Sequence, residues 1–153
     1  MTQHVQGKIG NIDRLRANAV EAAEQTERLS VPDVRAPIDL MRLLTDWPAE
    51  RRLLIFDETG GGPPIGEALG GLDDQARTAP WAIVIGPEGG FAAAELSALR
   101  RMKDVMAVGL GPRILRADTA ALAALACWQS IVGDWRKPTP RLPSDYRTSR
   151  DAV

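Results

Sequence analysis

Three short apolar runs, each followed by a glycine-rich loop, constrain the fold of this chain more than any other feature. They are RLLIFD at residues 52–57, WAIVI at Trp81–Ile85 and VMAV at Val105–Val108. Their length and unbroken apolar character are typical of strands buried on both faces of a sheet. Because helical patterns separate the strands, the sequence predicts an α/β fold: a mostly parallel sheet with helices on both faces.

Two helices are predicted before the first strand. The first starts at Asn11, which is a suitable cap, and continues until Pro32 stops it. The second starts near Pro37, with Asp39 favoured by the helix dipole, and ends at Pro48. Its expected apolar stripe consists of Ile38, Met41 and Leu44.

Three further helices are expected beyond the first strand. A short one covers residues 65–69, and an amphipathic one covers residues 92–103. The last helix, at residues 118–135, is apolar almost all round, so we expect it to be largely buried. We expect residues 1–10 to be disordered or to mark a shortened start, residues 11–137 to form one domain, and residues 138–153 to form a flexible tail.

Composition excludes several classes of site. A single cysteine, Cys127, allows neither an internal disulfide nor a cysteine-based zinc site, and a single histidine, His4, in a polar stretch disfavours a histidine-ligated metal, so no metal is expected. This usage favours a cytoplasmic protein. The formal net charge of −1 disfavours binding of nucleic acid by bulk charge.

The first candidate motif is IGPEGGF, at residues 85–91, between a predicted strand and a predicted helix. Glycines there let the backbone approach a ligand closely and direct amide groups toward it. Glu88 adds a carboxylate at the mouth of the cleft. A tight turn with no ligand explains the isolated motif equally well.

The second motif is GLGPRILRADTA, at residues 109–120, after the third strand. Arg113 and Arg116 flank the apolar pair Ile114 and Leu115, a combination suited to an adenine ring or thioether beside a phosphate. The alternative is an ordinary helix start, with Asp118 as the cap and Arg116 as its ion-pair partner.

Together the two motifs, their order and the segment RANAVEAAEQTERLSVPDV at residues 16–34 resemble one family, over roughly residues 11–135. This is the ribosomal RNA small subunit methyltransferase E family, of the SPOUT class, which methylates N3 of a uridine in 16S ribosomal RNA. The resemblance implies S-adenosylmethionine as cofactor, a C-terminal trefoil knot and a homodimer. It also implies that the catalytic domain is truncated at its N-terminus and lacks the family's RNA-binding domain.

The resemblance carries functional roles over to matching positions. We expect the cofactor to contact Phe56, Gly86, Pro87, Glu88, Gly89, Gly90, Val108, Gly109, Leu110, Gly111, Ile114 and Leu115. Arg113 and Arg116 are the expected RNA contacts. Arg116 is also assigned to stabilise negative charge on the uridine, and Glu88 or Asp118 to orient or deprotonate it.

Other functions fit parts of the sequence. A SPOUT enzyme acting on a ribose 2′-hydroxyl or another RNA base would share both loops. A dimeric fragment that binds the cofactor without turnover would also share them. An ordinary nucleotide-binding α/β domain is disfavoured, because the sequence contains no phosphate-binding loop motif.

Overall fold

The computed structural model describes residues 11–56, 61–87 and 89–138. The strands in these ranges are β1 (Arg52–Phe56), β2 (Trp81–Ile85) and β3 (Val105–Val108). The helices are α1 (Ile12–Gln25), α2 (Leu40–Thr45), α3 (Ile65–Gly70), α4 (Asp74–Thr78), α5 (Ala93–Arg100) and α6 (Ala117–Ile131), followed by a 3-10 helix (Asp134–Arg136). None of these helices is both long and apolar enough to cross a membrane.

The three described strands form one parallel sheet in the order β2-β1-β3. The register places Phe56, the last residue of β1, opposite both Ile85 and Val108. All three strands therefore end at the same edge of the sheet. The predicted parallel sheet is confirmed, and the bounds predicted for β2 and β3 match the structure.

Helices cover both faces of the sheet because β1 is apolar at every position except its first. Leu54 and Phe56 point to one face, where they pack with Ile65 and Leu69 of α3 and with α6. Leu53 and Ile55 point to the other face, where they pack with residues of α2 and α5, such as Leu40 and Leu99. The predicted arrangement of helices on both faces is confirmed.

The first helix starts where expected but ends early. Asn11 caps α1, since its side-chain oxygen accepts hydrogen bonds from the amides of Asp13 and Arg14. The prediction that Pro32 stops this helix is wrong, because α1 ends at Gln25 and Glu27 adopts a left-handed conformation with φ of 53°. The turn thus reverses the chain before the proline is reached.

The second helix starts at Leu40 rather than near Pro37. The carboxylate of Asp39 accepts hydrogen bonds from the amides of Met41 and Arg42 and so caps α2. These bonds, that from Arg42 foremost, lower the pKa of Asp39. The buried face differs from the predicted stripe: Leu40 enters the core, whereas Ile38, which precedes the helix, and Met41 are exposed.

The helix α4 was not predicted from the sequence, because its five residues are too few to show a helical pattern. Asp73 caps it by accepting a hydrogen bond from the amide of Ala76. Arg77 of α4 then donates to the carbonyl oxygens of Leu69, Gly70, Leu72 and Ile131, at 3.0–3.2 Å. One cation therefore joins the ends of α3 and α6, where the helix dipoles are negative.

The expectation that the last helix is largely buried is wrong for this chain. Within α6, Ala120 and Ala124 are the buried residues. Leu122 and Leu125 are 72% and 52% exposed. Although most residues of the helix are apolar, the side that carries Leu122 and Leu125 is exposed. At the far end of α6, a hollow of about 650 Å³ is lined by residues that include Trp81, Trp128 and Val132.

The segment before α3 crosses very close to β3. A Cβ atom on Gly62 would overlap the backbone of Ala107 and lie 2.8 Å from the amide nitrogen of Val108. We therefore predict that Gly62→Ala lowers the free energy of unfolding by about 1–3 kcal/mol, because the two backbones must separate. Urea unfolding measures this change.

Gly66→Ala is the matched control, since a Cβ on Gly66 of α3 meets no atom within 4 Å. This substitution should stabilise the fold by roughly 0.5 kcal/mol through helix propensity. Equal effects of the two alanines would show that the close crossing at Gly62 is not a constraint.

Candidate functional site

The candidate site lies at the edge of the sheet where the three strands end. Since neighbouring strands are about 4.8 Å apart, the loops after β2 and β3 start about 10 Å from each other, with β1 between them. α3, which follows β1 in the chain, packs on one face of the sheet, and α5, which follows β2, packs on the other. Open α/β sheets bind ligands beyond the carboxyl ends of their strands, where successive connections lie on opposite faces.

The loop after β2 is a tight turn closed by a glycine. The amide of Gly90 donates a hydrogen bond of 2.8 Å to the carbonyl oxygen of Pro87. Gly90 is buried and has a φ of 76°, a conformation that disfavours any side chain. Gly86 and Pro87 are half-buried and Gly89 is exposed, while Glu88 lies outside the described residues.

The exit of this loop into α5 is held by Glu95, a residue that the sequence analysis did not single out. Its carboxylate oxygen Oε2 accepts a hydrogen bond of 2.8 Å from the amide of Ala92, the N-cap residue. Alanine has no side-chain acceptor, so only this half of a capping box is formed. The spacing of Glu95, three residues after the cap, was the available signal.

The loop after β3 begins with a glycine whose backbone is already engaged. Gly109 donates its amide to Pro63, at 2.9 Å, and accepts from the amide of Ile65, at 3.0 Å. Pro64 and Gly109 thereby form a parallel bridge. Any amide that this loop offers to a ligand must come from residues beyond Gly109.

Beyond Gly109 the loop divides into a packed part and an exposed part. Leu110 packs against the cluster that contains Phe56 and Val108. Gly111 is exposed, with a φ of 99° and open space around the position of a Cβ. Ile114 is 82% exposed, and Leu115 is half-buried. The apolar pair predicted to meet a ligand therefore presents Ile114 to the surface.

The predicted polar side chains lie on the outside of this second loop. Arg113 is exposed, and Arg116 Nε lies 3.9 Å from Asp118 Oδ1, with both side chains at least 75% exposed. Asp118 also accepts a hydrogen bond from the amide of Thr119. The predicted pairing of Arg116 with Asp118 is thus present. Asp118 is not the cap, because α6 starts at Ala117 and Arg116 takes that position.

These residues fit an adenosyl thioether. Gly89 and Gly111 are exposed and offer backbone to a ligand, and Leu110 and Leu115 are half-buried apolar side chains on the second loop, whereas Gly90 and Phe56 are buried. Such a mixture of apolar walls and backbone amides is typical of cofactor sites. Among the described residues, no three His, Cys, Asp or Glu side chains form a group that could hold a metal ion.

The sequence matches the family described as RNA methyltransferase domain over residues 1–129. It is 33% identical over 126 residues to ribosomal RNA small subunit methyltransferase E of Rickettsia conorii, covering 82% of this chain and 50% of that protein. The Bacillus subtilis protein of the same name is 35% identical over 111 residues, or 71% of this chain and 42% of the relative. The chain thus spans about half the length of these relatives.

Solved structures show the same fold. A ribosomal RNA small subunit methyltransferase E from Neisseria gonorrhoeae, bound to S-adenosylmethionine, superposes with a TM-score of 0.63 at 30% identity, covering 78% of this chain and 47% of the other. A methyltransferase from Legionella pneumophila, also with bound cofactor, gives 0.67 at 26% identity, with 85% and 52% covered. By its sequence match and its parallel α/β fold, this chain belongs to the RNA methyltransferase domain family.

Proposed function

We propose that this chain is the catalytic part of an S-adenosylmethionine-dependent methyltransferase that modifies N3 of a uridine in small-subunit ribosomal RNA. The observation that carries the proposal is that two glycine-containing loops leave the same edge of the sheet, in a fold shared with two cofactor-bound methyltransferases. The names of the relatives support ribosomal RNA as the substrate class.

The two loops have different tasks in this proposal. The turn closed by Gly90 brings backbone to the cofactor, while Phe56 and Leu110 form apolar walls. When bound, S-adenosylmethionine supplies an electrophilic methyl group on a sulfonium. Because the methyl donor arrives activated, the protein's task is to orient the uridine and to manage the proton and charge of its N3–H.

In this proposal Arg116 and Asp118 act on the base; the two side chains are neighbours at the start of α6. Loss of the N3 proton leaves negative charge on the uridine, which the Arg116 guanidinium stabilises by hydrogen bonding. Asp118, 3.9 Å from Arg116, orients that guanidinium or accepts the proton. Glu88 is the other proposed proton acceptor. Arg113, exposed on the same loop, contacts the RNA backbone.

The SPOUT trefoil knot belongs to this proposal as well. Its support is the contact of the segment before α3 with the end of β3 and the residue after it: Gly62 lies against Ala107 of β3, and Pro63 and Ile65 hydrogen-bond to Gly109. In a knotted chain, these contacts would hold the cofactor loop in place as the chain passes on to α6. An unusual crossing of this kind demands glycine where backbones meet.

A specific observation also favours a homodimer. Ile114, Leu122 and Leu125 are all more than half exposed, on α6 and the loop that precedes it. Exposed apolar residues grouped on one helix are typical of an interface. A second candidate function, a dimeric domain that binds the cofactor but has no turnover, shares this surface and differs only in the absence of a methylated product.

Cofactor binding is the first test. We predict that calorimetric titration with S-adenosylmethionine gives about one site per chain. Gly90→Ala should weaken binding by roughly tenfold, because an alanine at φ of 76° costs about 1–2 kcal/mol and the loop relieves this strain by leaving the conformation proposed to bind the cofactor. Gly66→Ala, on the exposed side of α3, serves as the control and should bind as the unaltered chain does. Folded protein that binds no cofactor would refute the proposed function.

Chemistry is tested separately at Arg116. Arg116→Ala should abolish methylation of small ribosomal subunits that lack the modification, with cofactor affinity within about twofold, since removing a group that stabilises the transition state costs roughly 10²–10³ in rate. Arg113→Ala should instead weaken RNA binding and its salt dependence. Normal turnover by Arg116→Ala would contradict the assignment of Arg116 to stabilise charge on the uridine. Digestion of the methylated RNA to nucleosides shows whether the methyl group is on N3, on a ribose or on another base.

The proposed dimer interface on α6 is tested by placing charged side chains in it. We predict that Leu122→Asp together with Leu125→Asp converts a dimer to a monomer in sedimentation velocity, because the exposed apolar side of α6 could no longer be buried. Leu29→Asp, at a fully exposed leucine outside the helices, is the control and should leave the dimer intact. A monomer in the unaltered chain at micromolar concentration would contradict the dimer.

A further inference from the structure

Glu95 is the one charged residue that the structure buries within its described ranges. Its exposed fraction is 5%, whereas the side chain of Asp118, in the first turn of α6, is 75% exposed. Burial disfavours a carboxylate unless hydrogen bonds or a helix dipole compensate. Glu95 has both: it accepts from the Ala92 amide at 2.8 Å, and it lies in the first turn of α5.

The contact of Glu95 fixes the last part of the loop after β2. Gly90 is buried and closes the turn from Pro87, Phe91 packs in the cluster with Leu99, and the next amide, that of Ala92, is held by Glu95. Leu99, four residues after Glu95 and fully buried, anchors the helix to the sheet. The carboxylate therefore links the end of the loop after β2 to α5, which Leu99 holds against the sheet.

We propose that Glu95 is a positioning residue for cofactor binding, acting through the Ala92 amide on the loop at residues 86–90. This inference rests on the proposed function. Without the acceptor, the amide of Ala92, a half-buried residue, loses its protein partner, and we expect the loop to shift so that water reaches this amide. Displacements of about 1 Å in a supporting segment are enough to weaken binding or catalysis many-fold. Glu95 itself does not touch the reacting atoms.

A simple helix cap would predict something different. Loss of a cap lowers stability and leaves ligand affinity unchanged when measured well below the unfolding temperature. Ala92→Ser separates the two roles, because a serine hydroxyl accepts from the amide of residue 95 and not from its own amide. It can therefore restore the stability of α5 without replacing the bond that Glu95 makes.

The experiment compares four variants by calorimetric titration with S-adenosylmethionine, thermal unfolding and hydrogen exchange of the amides at 89–92. They are Glu95→Ala, Glu95→Gln, the double variant Glu95→Ala with Ala92→Ser, and the control Glu67→Ala, an exposed glutamate in the first turn of α3. We expect Glu95→Ala to raise the dissociation constant at least tenfold and to speed exchange of the Ala92 amide. Glu95→Gln keeps an acceptor oxygen of the same reach and should bind within threefold of the unaltered chain.

The double variant decides between positioning and capping. Recovery of the unfolding temperature with binding still tenfold weaker supports positioning, whereas recovery of binding along with stability overturns it. If the unaltered chain binds S-adenosylmethionine and Glu95→Ala binds it with the same affinity, the positioning role of Glu95 is overturned and the proposed function stands. Absence of binding by the folded unaltered chain refutes the proposed function and this inference with it.

If Glu95→Ala does not fold, Glu95→Asp and Glu95→Gln give the answer. Aspartate keeps the charge but is one methylene shorter and falls short of the Ala92 amide, while glutamine keeps the reach without the charge. Positioning requires weakened binding by Glu95→Asp and near-normal binding by Glu95→Gln. The opposite order would show that charge, and not the hydrogen bond, is what the loop needs.

Discussion

Burial of β1 on both of its faces is the constraint on which the rest of the structure depends. Leu53, Leu54 and Ile55 are fully buried, and alternate side chains of this one strand enter two separate apolar clusters. The strand therefore needs a parallel neighbour on each side and helices above and below. That requirement aligns the ends of all three strands and so creates the edge at which the candidate site lies.

Glycines at this edge serve two purposes that the sequence does not distinguish. Gly62 is needed because one segment of the chain lies against another and leaves no room for a Cβ; Gly109 takes part in the same crossing through its amide and carbonyl, which hold residues 63–65. Gly90 and Gly111 instead adopt positive φ in the turns after β2 and β3. The first pair therefore joins two segments of the chain, and the second pair shapes two turns.

The outer helices α1 and α6 leave apolar side chains uncovered. Ala23 is the buried residue of α1, and Leu122 and Leu125 of α6 face outward. The homodimer proposed above would bury this side of α6 against a second copy of the chain. The charged side chains of Arg77 and Glu95, by contrast, are compensated within the domain, because each forms hydrogen bonds with backbone groups at helix ends.

The sequence by itself determined the fold class, the bounds of β2 and β3 and the two loops, because continuous apolar runs and glycine-rich turns are local signals. It also determined the start of α1, since Asn11 caps its own neighbours. Only the tertiary structure decided that α1 ends at Gln25, that Leu40 rather than Met41 enters the core, and that Gly109 is bonded to residues 63–65. Burial and long-range hydrogen bonds depend on what lies opposite a residue in space, and the spacing of residues along the chain does not contain that information.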